Sequence, residues 1–434
     1  MQAATRTLAE WLALQEQVHA RAIDLGLGRV GTVARTLGVD RPGYRVITVG
    51  GTNGKGSTVA TLEGLLLALK LRVGTLTSPH LLRYNERIHV DGREATDAEL
   101  VDVFERIEAA RGATTLTFFE YNTLAALLLF ADSRVDVAVL EVGLGGRLDA
   151  VNLLDADVGV LCSVGFDHRD WLGDTLDAIG AEKAGIFRAH HPAVLGTPQM
   201  PGSVYQAIER LGAQPVIAER QFSWELEASS DSQPRWTYRG LHGEITGLPP
   251  PRLAGAIQYR NAATALAAVE SLARIADPQG RWPSLTRERI AAALASVEVA
   301  GRFQILPGPV EWILDVSHNE PAAQILKENL AARSIKGRTI AVCGILQDKD
   351  AAAIARVLAG AADVWIACAL PGARGGTAAQ LAARLAPSIR VTEQAASVAQ
   401  GCALARTLAR PGDRVLVFGS FSTVTAALEW LQIH

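Results

Sequence analysis

Cysteine is scarce and scattered in this chain. Cys162, Cys343, Cys368 and Cys402 are the whole complement among 434 residues, and no two form a C-x-x-C pair. That spacing argues against a disulfide framework or a zinc site and fits small buried thiols in a reducing compartment. Long apolar runs are also lacking. The longest candidate, Leu124 to Ala131, stops at Asp132-Ser133-Arg134, well short of the roughly 18 residues that a bilayer span needs. Neither sign of charge dominates: the formal net charge is −3, so no broad basic field exists to hold nucleic acid or an anionic membrane. Arg6, Glu10 and Glu16 make the stretch from Met1 to Gln17 amphipathic and unlike a signal peptide, so a soluble cytoplasmic protein is expected. Repeats and low-complexity tracts are missing too. What is present is apolar bulk, 49% of residues, ample for large cores in the two or three domains that the length suggests.

Short apolar runs alternate with helical patterns. Arg45–Val49, Val73–Thr77, Val135–Val142, Val158–Val164 and Ala193–Gly196 read as buried strands of a parallel sheet covered on both faces. Gln221 to Gly247 turns polar and alternating, which predicts an antiparallel hairpin or meander closed by Leu248-Pro-Pro-Pro251, and Gln258 to Ala273 predicts an alanine-rich helix. A second alternating series follows, with strands expected at Val310–Val316, Thr339–Gly344, Asp363–Ala367, Ile389–Val391 and Arg414–Phe418. The fold class is therefore α/β: a larger parallel-sheet domain (1–298), a linker (299–309) rich in Gly and Pro, and a smaller Rossmann-like domain (310–434).

The phosphate loop is the strongest signal. The strand ending Val46-Ile-Thr-Val49 runs into Gly50-Gly51-Thr52-Asn53-Gly54-Lys55-Gly56-Ser57, and Val59, Leu62, Leu65, Leu66 and Leu69 follow at helical spacing. Glycines let backbone N–H groups converge on phosphate oxygens, the helix N-terminus adds partial positive charge, and lysine supplies a full one. Gly56 separates Lys55 from Ser57, so the common Gly-Lys-Ser/Thr ending is absent. Ser78 in Ser78-Pro79-His80 follows the second strand and reaches the carboxyl edge as a metal-ligand candidate, or merely starts a turn. Glu141 ends the third strand, where a nucleotide-hydrolysing enzyme holds magnesium, and Gly143-Leu144-Gly145-Gly146-Arg147 lets the next loop approach a ligand. His168, between Asp167 and Asp170, is a candidate second metal ligand, although lone histidines are more often structural. Lys183 lies among small and apolar residues (Ala181-Glu-Lys-Ala-Gly185); burial there would free its amine to take up carbon dioxide as a carbamate, and a snorkelling helix lysine is the plain alternative. Arg302, at the domain junction, and Asp315 and His318, at the end of a later strand, are candidates for reaching a nucleotide.

Seven motifs in order resemble one family. They are Gly51-Thr-Asn-Gly-Lys-Gly-Ser57, Ser78-Pro-His-Leu81 with Arg83-Tyr-Asn-Glu-Arg87, Glu141 through Asp149, Asp167-His168 with Asp170-Trp-Leu-Gly173, Glu182-Lys-Ala-Gly185, Gly301-Arg-Phe-Gln304 and Asp315-Val-Ser-His-Asn319. They look like the folylpolyglutamate synthases, relatives of the Mur peptidoglycan ligases, and most like the bacterial bifunctional dihydrofolate synthase/folylpolyglutamate synthases; Thr117-Phe-Phe-Glu120 adds to that likeness. The resemblance implies that Gly51, Thr52, Asn53, Gly54, Lys55, Gly56 and Ser57 bind ATP phosphates, joined at the nucleotide by Asn261, Arg302, Asp315 and His318. It implies two magnesium sites, one on Ser78 and Glu141, the other on His168 and a carbamylated Lys183, with potassium as a further cation. Lys55, Glu141, His168 and Lys183 become the catalytic set; Arg83, Phe119, Leu144, Gly145, Gly146, Arg147 and Asp149 shape the folate or pteroate pocket. Implied partners are dihydropteroate, reduced folates and L-glutamate, acted on by a monomer. One departure is Ala300, where proline is expected before Gly301.

Three rivals stand beside this reading. A folylpolyglutamate synthase without dihydrofolate synthase activity shares every motif. A Mur-type ligase should place a further domain before the phosphate loop, which here arrives by Gly51. A non-catalytic ATP-binding protein leaves Lys183, His168 and Asp315 without work.

Overall fold

A computed structural model describes residues 6–21, 23–228, 234–277 and 282–433. Two compact units divide it, one built from 1–80, 84–252 and 259–297, the other from 81–83, 253–258 and 298–434.

The first unit is built on an eight-stranded sheet. In chain order its strands are β1 (Arg45–Gly50), β2 (Val73–Leu76), β3 (Ile88–Val90), β4 (Arg93–Glu94), β5 (Val137–Glu141), β6 (Val158–Leu161), β7 (Pro192–Leu195) and β8 (Gln214–Ile217). Across the sheet the order is β4-β3-β2-β5-β1-β6-β7-β8, parallel except at β3 and β4. Strand side chains alternate between two cores. Val46, Ala138 and Leu140 join one with the helix Phe118–Asp132, while Ile47, Val49, Val137 and Val139 face the helices Lys55–Ala68 and Ile257–Ala276 on the other side. Val59, Leu62, Leu65, Leu66 and Leu69 lie in that second core, as their spacing predicts. The helix Phe118–Asp132 is apolar nearly all round because it is buried nearly all round; Thr117 and Glu120 form a capping box that fixes its start. The predicted meander is a three-stranded antiparallel sheet of β9 (Ser223–Leu226), β10 (Trp236–Gly240) and β11 (Gly243–Leu248).

Gly74 in β2 lies under the Phe130 ring so closely that an added Cβ would overlap it. We expect Gly74→Ala to cost about 1–3 kcal/mol through overpacking and to lower the thermal unfolding midpoint by several degrees. An unchanged midpoint would mean that Phe130 has room to turn aside.

The second unit carries a six-stranded sheet: β12 (Gln304–Leu306), β13 (Glu311–Asp315), β14 (Thr339–Cys343), β15 (Val364–Cys368), β16 (Glu393–Ala395) and β17 (Arg414–Phe418), ordered β12-β13-β17-β14-β15-β16. All neighbours are parallel except β12 with β13, a Rossmann-like arrangement. The strand expected at Ile389–Val391 is corrected to β16: Ile389 donates its N–H to Leu385 O at 3.0 Å in a turn off the preceding helix, and the ladder with β15 begins at Glu393.

At the amino edges of both sheets, aspartates hold the starts of strands. Asp157, Asp136 and Asp91 accept the N–H groups of Val46, Arg72 and Val73, each at 2.8 Å. Asp413 and Asp363 do the same for Arg338 and Thr339, again at 2.8 Å.

Candidate active site

Chain leaving β1 must turn sharply to enter the helix Lys55–Ala68, and Gly51 (φ +148°) and Gly54 (φ +91°) take conformations that favour glycine. The turn is pinned from beside it by the segment after β6. Thr52 donates its N–H to Ser163 O (2.9 Å), and its hydroxyl both donates to Gly165 O (3.1 Å) and accepts the Gly165 N–H (2.9 Å). Ser163 Oγ accepts from the Asn53 N–H at 3.1 Å and donates to Asn53 O at 3.0 Å. These bonds explain why β6 ends at Leu161 rather than at the expected Val164: the backbone beyond it serves the loop, not a ladder. Lys55 opens the helix and folds back, donating to Gly51 O (3.0 Å) and Thr52 O (3.4 Å), with Ser57 buried two residues on. Asn261 lies against the loop; a Cβ on Gly54 would be 3.1 Å from its Oδ1.

Beside β1, Glu141 ends β5 in register with Val49 and is only 3% exposed. Its Oε2 accepts the Ser78 N–H at 3.2 Å, so these two candidate ligands meet at the carboxyl edge. The loop that follows is braced by Asp149, whose carboxylate accepts the N–H groups of Leu144 (2.8 Å) and Val151 (3.1 Å). Burial raises the Asp149 carboxyl to about 6, against the pull of these donors and of Lys55. Phe119 abuts the loop at Gly143, where a Cβ would sit 2.8 Å from the ring. Gly146 lies just as tightly on the helix Leu176–Ala184, its Cβ position 2.8 Å from Glu182 O, and Arg147 pairs with Glu182 at 2.8 Å. Phe119 and the Leu144–Asp149 loop thus form one packed wall, with Arg147 on its outer side.

Lys183 comes from that same helix and is 5% exposed. Its Nζ donates to Gly51 O at 3.2 Å, so both lysines converge on one loop carbonyl. Burial, reinforced by the nearby Lys55 charge, lowers the Lys183 amine to about 7, while Asp167 and Asp149 act the other way. A near-neutral amine is the form that can react with carbon dioxide. His168 takes a left-handed turn (φ 51°), with Nε2 3.9 Å from Asp167 Oδ2, and remains 37% exposed. Among the described residues, no three His, Cys, Asp or Glu side chains gather as a metal cage. The Glu141 carboxylate and the Ser78 hydroxyl are nevertheless hard oxygen groups of the kind magnesium takes alongside water and phosphate oxygens, so the residue types fit that ion.

Within the second unit, Asp315 ends β13 and accepts the N–H groups of Phe303 and Ser317, each at 2.8 Å, as well as the Ser317 hydroxyl. Burial raises its carboxyl, opposed by Ser317 and Arg302. Arg302 stacks over Phe421 at 5.4 Å, and His318, held by Val316 O at 2.9 Å, approaches the same ring at 6.2 Å. Arg83 belongs to this unit as well.

Two family models match the chain: the Mur ligase middle domain over residues 49–199, and the Mur ligase glutamate ligase domain over residues 301–421. The dihydrofolate synthase/folylpolyglutamate synthase of Escherichia coli K12 is 42% identical over 426 residues, covering 98% of this chain and 96% of that protein. The chain belongs to this family. A structure described as E. coli FolC in complex with DHPP and ADP superposes with a TM-score of 0.91 at 41% identity, covering 100% of this chain and 99% of the other. A bifunctional folylpolyglutamate synthase/dihydrofolate synthase with Mn, AMPPNP and L-glutamate bound gives 0.88 at 41% identity, covering 99% of each chain.

Within this synthase fold the structure adds groups that motif reading passed over. Arg87 is buried, its guanidinium 5.6 Å from the Tyr84 ring and 5.2 Å from Phe118, and its Nε donates to His80 Nδ1 at 2.7 Å. That bond assigns the His80 proton to Nε2, and burial lowers the imidazole to about 4, so it stays neutral at pH 7. Glu141 lies near enough to favour the Arg87 cation. Arg87 and His80 stand within quoted motifs, but nothing in their spacing signals that both turn inward. Ser163 was hidden by being read as strand.

Proposed function

We propose that this chain is an ATP-dependent ligase that joins L-glutamate to dihydropteroate, giving dihydrofolate, and to reduced folates as a polyglutamate tail. The observation that carries the proposal is the meeting of Lys55 and Lys183 on Gly51 O of the glycine-rich turn, with Glu141 and Ser78 joined at the carboxyl end of the neighbouring strand. Full-length similarity to the synthases supports it.

A carboxylate is a poor electrophile. In the proposed reaction an oxygen of the pteroate or folate carboxylate attacks the γ-phosphorus of ATP, the bond to the β–γ bridging oxygen breaks, and ADP leaves. The glutamate amine then attacks the resulting acyl phosphate, loses a proton, and phosphate departs as the amide forms. Gly51 to Ser57 present N–H groups to the polyphosphate, and Lys55 exchanges its loop carbonyls for phosphate oxygens. Ser78 and Glu141 would hold one magnesium ion, and His168 with a carbamylated Lys183 the other. Bound there, the ions neutralise charge between two anions that must meet. The carbamate forms when the Lys183 nitrogen attacks carbon dioxide and releases a proton, turning a buried amine into an oxygen donor. Asn261, Arg302, Asp315 and His318 are assigned to the nucleotide. Arg83, Phe119 and the Leu144–Asp149 wall are assigned to the acceptor. A cytoplasmic monomer is part of the same reading, as is potassium as an additional cation.

The test is ADP release with ATP, L-glutamate and either dihydropteroate or tetrahydrofolate. We expect glutamate-dependent turnover with both acceptors. Turnover with tetrahydrofolate alone leaves a folylpolyglutamate synthase, and none with either acceptor overturns the proposal.

A further inference from the structure

At the opposite edge of the first sheet from the phosphate loop, a cavity of about 530 Å³ opens beneath the starts of β1, β2 and β5. β1 is six residues long, so at ~3.3 Å per residue roughly 20 Å separates this cavity from the catalytic turn. Its volume is that of a small-molecule site.

The lining is unusual in two respects. Four arginines, Arg41, Arg45, Arg72 and Arg134, contribute to it. Among the described residues, two have carboxylate partners: Arg45 pairs with Asp157 at 2.8 Å, and Arg72 with Asp136 at 3.4 Å. Arg41 and Arg134 are exposed and form no ion pair among the described residues, so the cavity carries an excess of two positive charges. Tyr44 and Trp282 also line it, and Tyr44 Oη and Trp282 Nε1 are buried atoms with no hydrogen-bond partner among the described residues. Buried polar atoms normally find one. Apolar surface from Val39, Leu71 and Ala131 completes the wall.

We propose that this cavity is a second binding site for a small aromatic anion, its ring beside Tyr44 and Trp282 and its phosphate or carboxylate groups on Arg41 and Arg134. Planar guanidinium forks bind both kinds of anion in the same bidentate way. The site is separate from the catalytic turn and does not depend on the proposed reaction.

Amide hydrogen exchange of the full chain tests it, with ADP and pteroyl-triglutamate as separate probes. We expect slower exchange over residues 38–45 and 134–136 with at least one probe. ADP alone assigns a nucleoside phosphate, triglutamate alone a polycarboxylate. In Arg41→Glu/Arg134→Asn the half-saturating concentration should rise by about tenfold or more, with basal turnover unchanged, which also shows the variant to be folded. No protection by either probe at millimolar concentration, or equal protection in the double variant, overturns the proposal.

Discussion

Lys183→Ala is expected to reduce kcat by roughly 10²- to 10³-fold, the rate equivalent of losing a few kcal/mol of charge stabilisation, while leaving the circular dichroism spectrum intact. A further measurement separates a carbamate from a structural lysine. Wild-type activity should fall in buffer stripped of carbon dioxide and return with bicarbonate, whereas the variant should not respond. In the stripped buffer, where the amine is unmodified, stability should also change with a definite sign. The amine falls from 10.5 to about 7 on folding, so between those values the unfolded chain binds more protons and stability rises with pH. Below pH 7 the cost of burying the ammonium is fully present, about 4–5 kcal/mol as an order of magnitude. The unfolding midpoint of Lys183→Ala relative to wild type should therefore improve as pH falls from 10 to 7. Near-normal turnover in the variant would end the carbamate proposal.

Glu141→Gln should raise the magnesium concentration for half-maximal activity by about tenfold or more and lower the maximal rate by roughly 10²-fold. The amide preserves the shape of the side chain and can still accept the Ser78 N–H, so the exchange isolates the charge. It also removes a negative group from the vicinity of the buried Arg87. A small loss of stability should accompany the kinetic effect. Titrating magnesium at fixed ATP, with urea unfolding in parallel, distinguishes the two. An unchanged magnesium midpoint would remove Glu141 from the metal site.

The central strands were legible because sheets covered on both faces demand continuous β-branched runs, as in Val46-Ile-Thr-Val49. The edges were not. β8 includes Pro215, a residue tolerated in a ladder only at such a margin, and β4 is two residues long. Ile389 carries strand-like chemistry, but its burial serves the core while its N–H completes a helical turn. At the site, the glycine-rich turn announced itself by composition, and small neighbours foretold the burial of Lys183. The pairing of Arg87 with His80 depends on a chain reversal that no periodicity encodes. The cavity beneath β1 draws on residues from 38 to 282 and leaves no local trace at all.

The aspartates at the amino edges have a bearing on how such a molecule can be altered. Strand alignment is clamped from one rim of each sheet, by side chains remote from the turns that carry chemistry. Turns on the other rim take no part in these five bonds, so a change of length there leaves the clamps at the strand starts in place. A scaffold made this way is modular: one rim stores the architecture and the other is free to acquire new specificities.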